Sequence, residues 1–311
     1  MKEEVKHLLS ITDLSAKDIW QVFSVAKELK DEYKSNGSNE PLLKNKQMVM
    51  LFEKPSLRTK LSFDLAMNQL GGHSVYFGGE EVGLGKREAV SDVARVVSSQ
   101  VHLIVARVNS HETLEELAKY SQRPVINALS DLEHPCQALT DLFTIWETRK
   151  YQDLSGFTIG YVGDGDNNVA HSLCLGSAMM NIEFRCGSPE GYFLNPDIVA
   201  KAKTYGANIL ETEDPKEAVK NADIVYTDTW VSMGDTNKEK RIKMFKPYQV
   251  NKQLMQYAKK DAIFMHCLPA HRNSEVTDDV IDGPQSVVFQ EAENRLHVQK
   301  ALILWLLEKS L

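Results

Sequence analysis

Hydrophobic positions along the chain switch between two periods. Over residues 15–34, Ile19, Val22, Phe23, Ala26 and Leu29 recur every three or four positions, the stripe of an amphipathic helix. Residues 47–52, Gln-Met-Val-Met-Leu-Phe, form a short apolar run that predicts a buried strand. Residues 57–70 return to the helical period and stop at Gly71-Gly72. The same reading places strands at 73–77, 101–106 and 124–128, with helices over 88–99, 111–121 and 136–149. The second half repeats it. Strands fall at 157–162, 182–186, 208–211, 223–227 and 262–266, and helices at 168–180, 196–205, 214–221 and 251–259. A last helical window, 292–309, is apolar on more than one face through Val298, Ala301, Leu302, Leu304, Trp305, Leu306 and Leu307, which predicts burial.

Strands alternating with helices over a whole chain argue for parallel sheets covered on both faces. Two sets of about five strands predict an α/β protein of two doubly wound parallel-sheet domains, 1–150 and 151–311, divided at the polar stretch Lys150–Gly156. A length of 311 residues accommodates two such domains. Composition narrows the function classes. Hydrophobic residues at 42% and charged residues at 25% are ordinary for a globular chain, and no apolar run of about 20 residues is present to span a bilayer. The N-terminus, Met1-Lys2-Glu3-Glu4, lacks a secretory pattern. A net charge of −7 gives no broad basic footprint for nucleic acid. The four cysteines, 136, 174, 186 and 267, include no C-x-x-C pair, so reduced thiols in the cytoplasm are expected.

In parallel α/β folds ligands sit beyond the carboxyl ends of strands, so polar motifs there carry most weight. Ser56-Leu57-Arg58-Thr59-Lys60 follows a strand and opens a helix, a phosphate seat by its free N–H groups and positive dipole end, with hydroxyls and an Arg fork added. The other reading is a plain Ser cap among solvated basic residues. Arg107 ends another strand, and His134-Pro135-Cys136-Gln137 begins a helix with a hydrogen-bond donor and an amide. Gly163-Asp164-Gly165-Asp166-Asn167-Asn168 imitates a dinucleotide loop but lacks its third glycine, leaving either a nucleotide loop or an Asn aimed at a polar ligand. Asp228 and Ser232-Met233-Gly234 follow a strand, suited to an ammonium and a carboxylate, or simply a capped loop. His266, Cys267 and His271 suggest zinc by residue type, but their spacing does not fit the usual structural sites. Glu291-Ala-Glu-Asn-Arg295 precedes the terminal helix.

These segments, in this order, resemble the aspartate/ornithine carbamoyltransferase family, nearest its ornithine branch. The patterns that carry the resemblance are Ser56–Lys60, His134–Gln137, Asp228 with Ser232–Gly234, His266–Pro269 and Glu291–Arg295. The resemblance implies transfer of a carbamoyl group from carbamoyl phosphate to the δ-amine of L-ornithine, giving L-citrulline and phosphate. It implies no metal and no cofactor, a homotrimer or a multiple of trimers, and a terminal helix returning to the first domain. Carbamoyl phosphate falls to Ser56, Leu57, Arg58, Thr59, Lys86, Arg107, His134, Gln137, Cys267, Leu268 and Arg295. Ornithine falls to Asn168, Asp228, Ser232 and Met233, and catalysis to Arg107, His134, Asp228 and Cys267. Two departures stand out. Leu57 replaces a Thr, and Gly83 stands where many relatives place a Gln that reaches a neighbouring subunit, so Lys86 or Arg87 is expected to take over. Rivals are the aspartate, putrescine and N-acetylornithine branches, a nicotinamide-dependent dehydrogenase reading of 163–168, and a regulatory relative that only binds carbamoyl phosphate.

Overall fold

The computed structural model describes residues 5–231 and 238–308. The chain forms two compact units, 1–139 with 293–311, and 140–292. In chain order the first contributes α1 (Ala16–Asn36), β1 (Gln47–Phe52), α2 (Leu57–Gln69), β2 (His73–Phe77), α3 (Gly79–Val82), α4 (Val90–Gln100), β3 (Leu103–Arg107), α5 (His111–Tyr120) and β4 (Val125–Leu129). Helix α6 (Pro135–Thr148) crosses the division. The second unit holds β5 (Thr158–Val162), α7 (Asn168–Met179), β6 (Glu183–Gly187), α8 (Pro196–Lys203), β7 (Ile209–Thr212), α9 (Pro215–Val219), β8 (Ile224–Tyr226), α10 (Lys238–Phe245), α11 (Lys252–Met255), β9 (Ile263–Met265) and α12 (Asp278–Ile281). Helix α13 (Val288–Leu306) crosses back, its part from Glu293 belonging to the first unit.

Local chemistry sets these boundaries. Ser15 and Asp18 form a reciprocal capping box at the start of α1, and Gly37 closes the helix in the left-handed conformation at φ 71°. A cap of this kind contributes about 1 kcal/mol. The central strands β1, β3, β5 and β8 are buried apolar runs because both faces of a parallel sheet are covered there, with all five residues of β5 buried, whereas the edge strands β2 and β7 are partly exposed.

The first sheet is wholly parallel in the order β2-β1-β3-β4. The chain leaves β1 for β2 on one side and returns to β3 on the other. The loops after β1 and β3 therefore diverge, opening a crevice at their carboxyl ends. The second sheet, in the order β7-β6-β5-β8-β9, is also parallel and has its switch point between β5 and β8. Val49, Leu51, Ile104, Ala106 and Leu117 anchor one core, and Val162, Val225, Tyr248, Phe264 and Val276 another.

Every strand read from the hydrophobic pattern is present, and the α/β class with two doubly wound parallel sheets stands. The first sheet has four strands where about five were expected. The window 251–259 keeps only α11 as helix and continues as turns through Tyr257 N–H to Leu254 O and Ala258 N–H to Met255 O. Helix α10 was not foreseen: its sequence, Lys-Glu-Lys-Arg-Ile-Lys-Met-Phe, buries only Phe245 and carries no apolar stripe.

Candidate active site

The phosphate-type motif sits at the switch point of the first sheet. Ser56 caps α2, its Oγ accepting from Thr59 N–H at 3.4 Å. Among the described residues the N–H groups of Leu57 and Arg58 have no partner within the chain, so the helix start offers two donors and its positive end. Leu57 points its side chain outward, 77% exposed, and contributes backbone alone. Glu53 joins the two diverging loops: its N–H donates to Arg107 O at 2.8 Å, and its carboxylate accepts from Asn109 N–H at 2.6 Å. That brace holds Arg107, the last residue of β3, next to the end of β1, where it pairs with Phe52.

Arg295 is the hub of this unit's site. It is buried, and it donates through Nη1 to Gln137 Oε1 at 2.5 Å and through Nη2 to Thr59 Oγ1 at 2.8 Å. Three motifs far apart in sequence thus meet on one guanidinium. His134 is buried beside them just before Pro135 opens α6. Burial, followed by the positive charges of Arg295 and Arg107, holds its imidazole well below the ordinary histidine range. The ring is therefore neutral at physiological pH and keeps one N–H to donate. Lys86 lies apart: it is exposed in the turn after α3, its N–H bonded to Gly83 O at 3.0 Å, and no hydrogen bond or ion pair among the described residues joins it to this cluster.

The second unit's motifs gather at its own switch point. Asp228 follows β8 and is 7% exposed; its Oδ1 accepts from Thr229 N–H at 2.7 Å and from the Cys267 thiol at 3.1 Å. Burial, with Asp228 and Glu291 nearby, pushes the Cys267 thiol well above its usual range. Cys267 is thus a thiol donor and not a thiolate. The segment carrying it is held by His266: Nδ1 accepts from Leu268 N–H at 2.9 Å, which leaves the ring proton on Nε2 facing Glu275 Oε1 at 3.3 Å. Leu268 takes a positive φ of 55° and precedes a cis peptide to Pro269. Asn168 opens α7 half-buried, while its neighbour Asn167 does the capping, accepting from Val169 and Ala170 N–H at 2.9 Å each. The expected ornithine contacts Ser232 and Met233 lie outside the described residues.

Asp228, His266 and Cys267 bring three ligand-type atoms within 4.8 Å of one another. Both ring nitrogens of His266 are already engaged, however, so a metal there would have to break the bond to Leu268 or the contact with Glu275.

Comparison with known proteins fits this division of labour. Residues 6–147 match the carbamoyl-P binding domain of the aspartate/ornithine carbamoyltransferases, and residues 155–306 match their Asp/Orn binding domain. The chain belongs to the aspartate/ornithine carbamoyltransferase family. Ornithine carbamoyltransferase of Methanosarcina acetivorans is 51% identical over 308 residues, covering 99% of this chain and all of the relative. That of Archaeoglobus fulgidus is 49% identical, covering 98% of each. The solved structure of ornithine carbamoyltransferase from Pyrococcus furiosus superposes with a TM-score of 0.92 at 46% identity over 96% of each chain.

Within a carbamoyltransferase framework the nucleotide-like loop has another explanation. Gly163 adopts φ 138°, and a Cβ on Gly165 would come within 2.7 Å of Cys186 Sγ and 2.9 Å of Ser188 Oγ. The close approach that Gly165 permits is to the chain's own β6 and the residue after it. Sequence reasoning also missed Tyr226 and Asp141, and named Glu291 only as the start of the Glu291–Arg295 motif. Tyr226 donates to Asp141 Oδ2 at 3.1 Å, and the Glu291 carboxylate accepts from His266 N–H at 3.1 Å. Asp141 follows Gln137 by one helical turn of α6, a spacing that could have flagged it. Arg241 gave no such signal, and Asp164 stood out only as part of the nucleotide-like loop.

Proposed function

We propose that the protein transfers the carbamoyl group of carbamoyl phosphate to the δ-amine of L-ornithine, forming L-citrulline and phosphate. The observation that carries the reading is the Asp228 carboxylate held by a protonated Cys267 thiol at the second sheet's switch point. It suits an ammonium-bearing amino acid and is of no use to a nicotinamide.

Each unit supplies half of the chemistry. The Ser56 hydroxyl, the N–H groups of Leu57 and Arg58, and the Arg58 and Arg107 side chains take the phosphate. Thr59, Arg107 and neutral His134 donate to the carbamoyl oxygen as charge grows on it, the interaction that usually lowers the barrier most in acyl-type transfers. Gln137, Arg295 and the Leu268 carbonyl orient the carbamoyl amide. Asn168, Asp228, Ser232 and Met233 hold the amino-acid end. The δ-ammonium first gives a proton to solvent; the lone pair of the neutral amine then bonds to the carbamoyl carbon, the C–O bond to phosphate breaks, and phosphate leaves with that electron pair. The nitrogen loses its proton to Asp228, because Cys267 has no thiolate to accept it. No metal or cofactor enters these steps.

A citrulline assay tests the reading. Offered carbamoyl phosphate with ornithine, putrescine, aspartate or N-acetylornithine, the protein should turn over ornithine at least 100-fold better than the others, since losing a buried polar partner discriminates by about 10⁴–10⁵ at best. Equal rates with putrescine would reject it.

The working assembly is a homotrimer or a multiple of it. Leu57 and Leu61 stand exposed on α2, and Val75 and Phe77 on the outer strand β2, apolar surface that another copy would cover. Lys86 then serves a neighbouring copy's carbamoyl phosphate, where Gly83 offers no side chain. Light scattering should give three chain masses or a multiple; a monomer mass would exclude it. No helix among the described residues is long and apolar enough to cross a membrane, and all four cysteines are free thiols, which suits the cytoplasm.

A further inference from the structure

We infer that Glu275 is a positioning residue for carbamoyl transfer: its buried carboxylate holds the His266 ring in the one orientation that ties down Leu268, and thereby sets the Cys267 thiol against Asp228. The inference rests on the ornithine reading above.

Glu275 and His266 are both buried, and Oε1 of the one lies 3.3 Å from Nε2 of the other. The same oxygen accepts from His271 N–H at 2.5 Å, so two donors fix the carboxylate. The backbone beneath it is anchored too: Glu275 O accepts from Val250 N–H at 2.8 Å, and the next residue, Val276, is part of this unit's core. At the other end His266 N–H donates to Glu291, which leaves the ring as the part still to be oriented. Nδ1 accepts from Leu268 N–H at 2.9 Å. A ring that accepts there carries its proton on Nε2, so only this tautomer meets Leu268 and Glu275 at once. His271, a zinc candidate by residue type, has its place in the same network. Its ring lies 3.0 Å from Thr229 Oγ1, and Thr229 N–H donates to Asp228.

The network holds a backbone that would not hold itself. Leu268 sits at φ 55°, a conformation that residues with a Cβ adopt rarely and keep only where their surroundings impose it. Without an acceptor at Nε2, the His266 ring is free to carry its proton on Nδ1. It would then face the Leu268 N–H donor to donor, and that tie would be lost. Cys267, one residue back, would lose its register with Asp228 Oδ1, now 3.1 Å from the thiol. Glu275 therefore acts through His266 and touches neither substrate. Because Oε1 takes both donors, Glu275→Gln can keep both bonds through its amide oxygen, while removing the carboxylate charge. A shared hydrogen-bond acceptor is thus separable from a buried charge.

The test uses the full-length protein with Glu275→Met and Glu275→Gln, each checked for folding by thermal melt. Iodoacetamide labelling of Cys267, followed by peptide mass spectrometry, reads the loop, and steady-state citrulline formation reads the consequence. Cys136, Cys174 and Cys186 are buried and serve as controls. Glu275→Met removes the acceptor at nearly the same side-chain length. It should label at Cys267 at least about fivefold faster than the parent, leave the three buried cysteines at the parent rate, and lose at least about fivefold in kcat, within what a misplaced catalytic group can cost. Glu275→Gln should stay within about threefold of the parent in both. If Glu275→Met does not fold, Glu275→Asp, one methylene short of both donors, should show the same selective changes. A smaller rise at Cys267, or a matching rise at the buried cysteines, overturns the positioning of the loop. A selective rise with a smaller fall in kcat overturns its role in transfer. Glu275→Gln outside its range shows that charge, not the shared bond, is at work, and overturns the mechanism. A parent protein that makes no citrulline from ornithine refutes the ornithine reading instead, and the labelling rates then judge the loop alone.

Discussion

Replacing Asp228 by Asn should lower kcat for citrulline formation by about 10²–10⁴-fold, the range for losing a positioned general base. The substitution keeps shape and hydrogen-bond capacity, so it isolates the charge. Asp228 faces a thiol that cannot take over: burial and the neighbouring carboxylates keep Cys267 protonated. The amide can still accept from Thr229 N–H and from Cys267, as the carboxylate does at 2.7 and 3.1 Å, which keeps the loop in place. Carbamoyl phosphate, whose phosphate-holding residues Ser56, Leu57, Arg58 and Arg107 all lie in the other unit, should lose far less in affinity than the variant loses in kcat. Steady-state assays at saturating ornithine, with calorimetric titration of carbamoyl phosphate, separate the two effects. A variant within fivefold of the parent in kcat would remove Asp228 from the proton path.

His134→Asn should cost about 10²–10³-fold in kcat, the effect of deleting one donor aimed at a developing oxyanion. The neutral state of His134 adds a second signature. Unfolded, the imidazole titrates near 6.5; folded among Arg295 and Arg107, it stays neutral to much lower pH. Below 6.5 the unfolded chain therefore holds a proton that the folded chain refuses. The associated stability is full above pH 6.5 and is lost progressively as pH falls toward the depressed folded value. Urea melts of parent and His134→Asn across pH 4.5–8 should show a steeper acid loss for the parent. Parallel curves would mean that His134 is already charged in the fold, and its donor role would need a different account.

The fold was legible because its central strands are short apolar runs. β1 and β5 could be read at once, since covered parallel strands need no alternation. The site was legible where chemistry clusters in sequence. Ser56 to Thr59 and His134 to Gln137 each sit at a helix start, and the geometry brings them to Arg295. What stayed hidden depends on contacts between segments remote in sequence. Arg241 looks like one more cation in Lys-Glu-Lys-Arg, and only the folded chain lays it against Trp230 and Asp164. The burial that keeps His134 neutral and Cys267 protonated likewise comes from packing, not spacing.

Helices α6 and α13 both run through the division between the units, and this limits how the gene can be divided. Lys30 on α1 donates to Asn294 at 2.6 Å, Lys300 donates to Asn39 at 2.5 Å, and Trp305 donates to Asp18 at 3.3 Å. All three bonds tie the first forty residues to the last twenty. A fragment ending near residue 150 would leave Lys30 and Asn39 without these partners and bare the surface that α13 covers. Two half-genes split at that point would not encode two self-sufficient proteins; a split that respects the architecture would have to carry the tail along with the head.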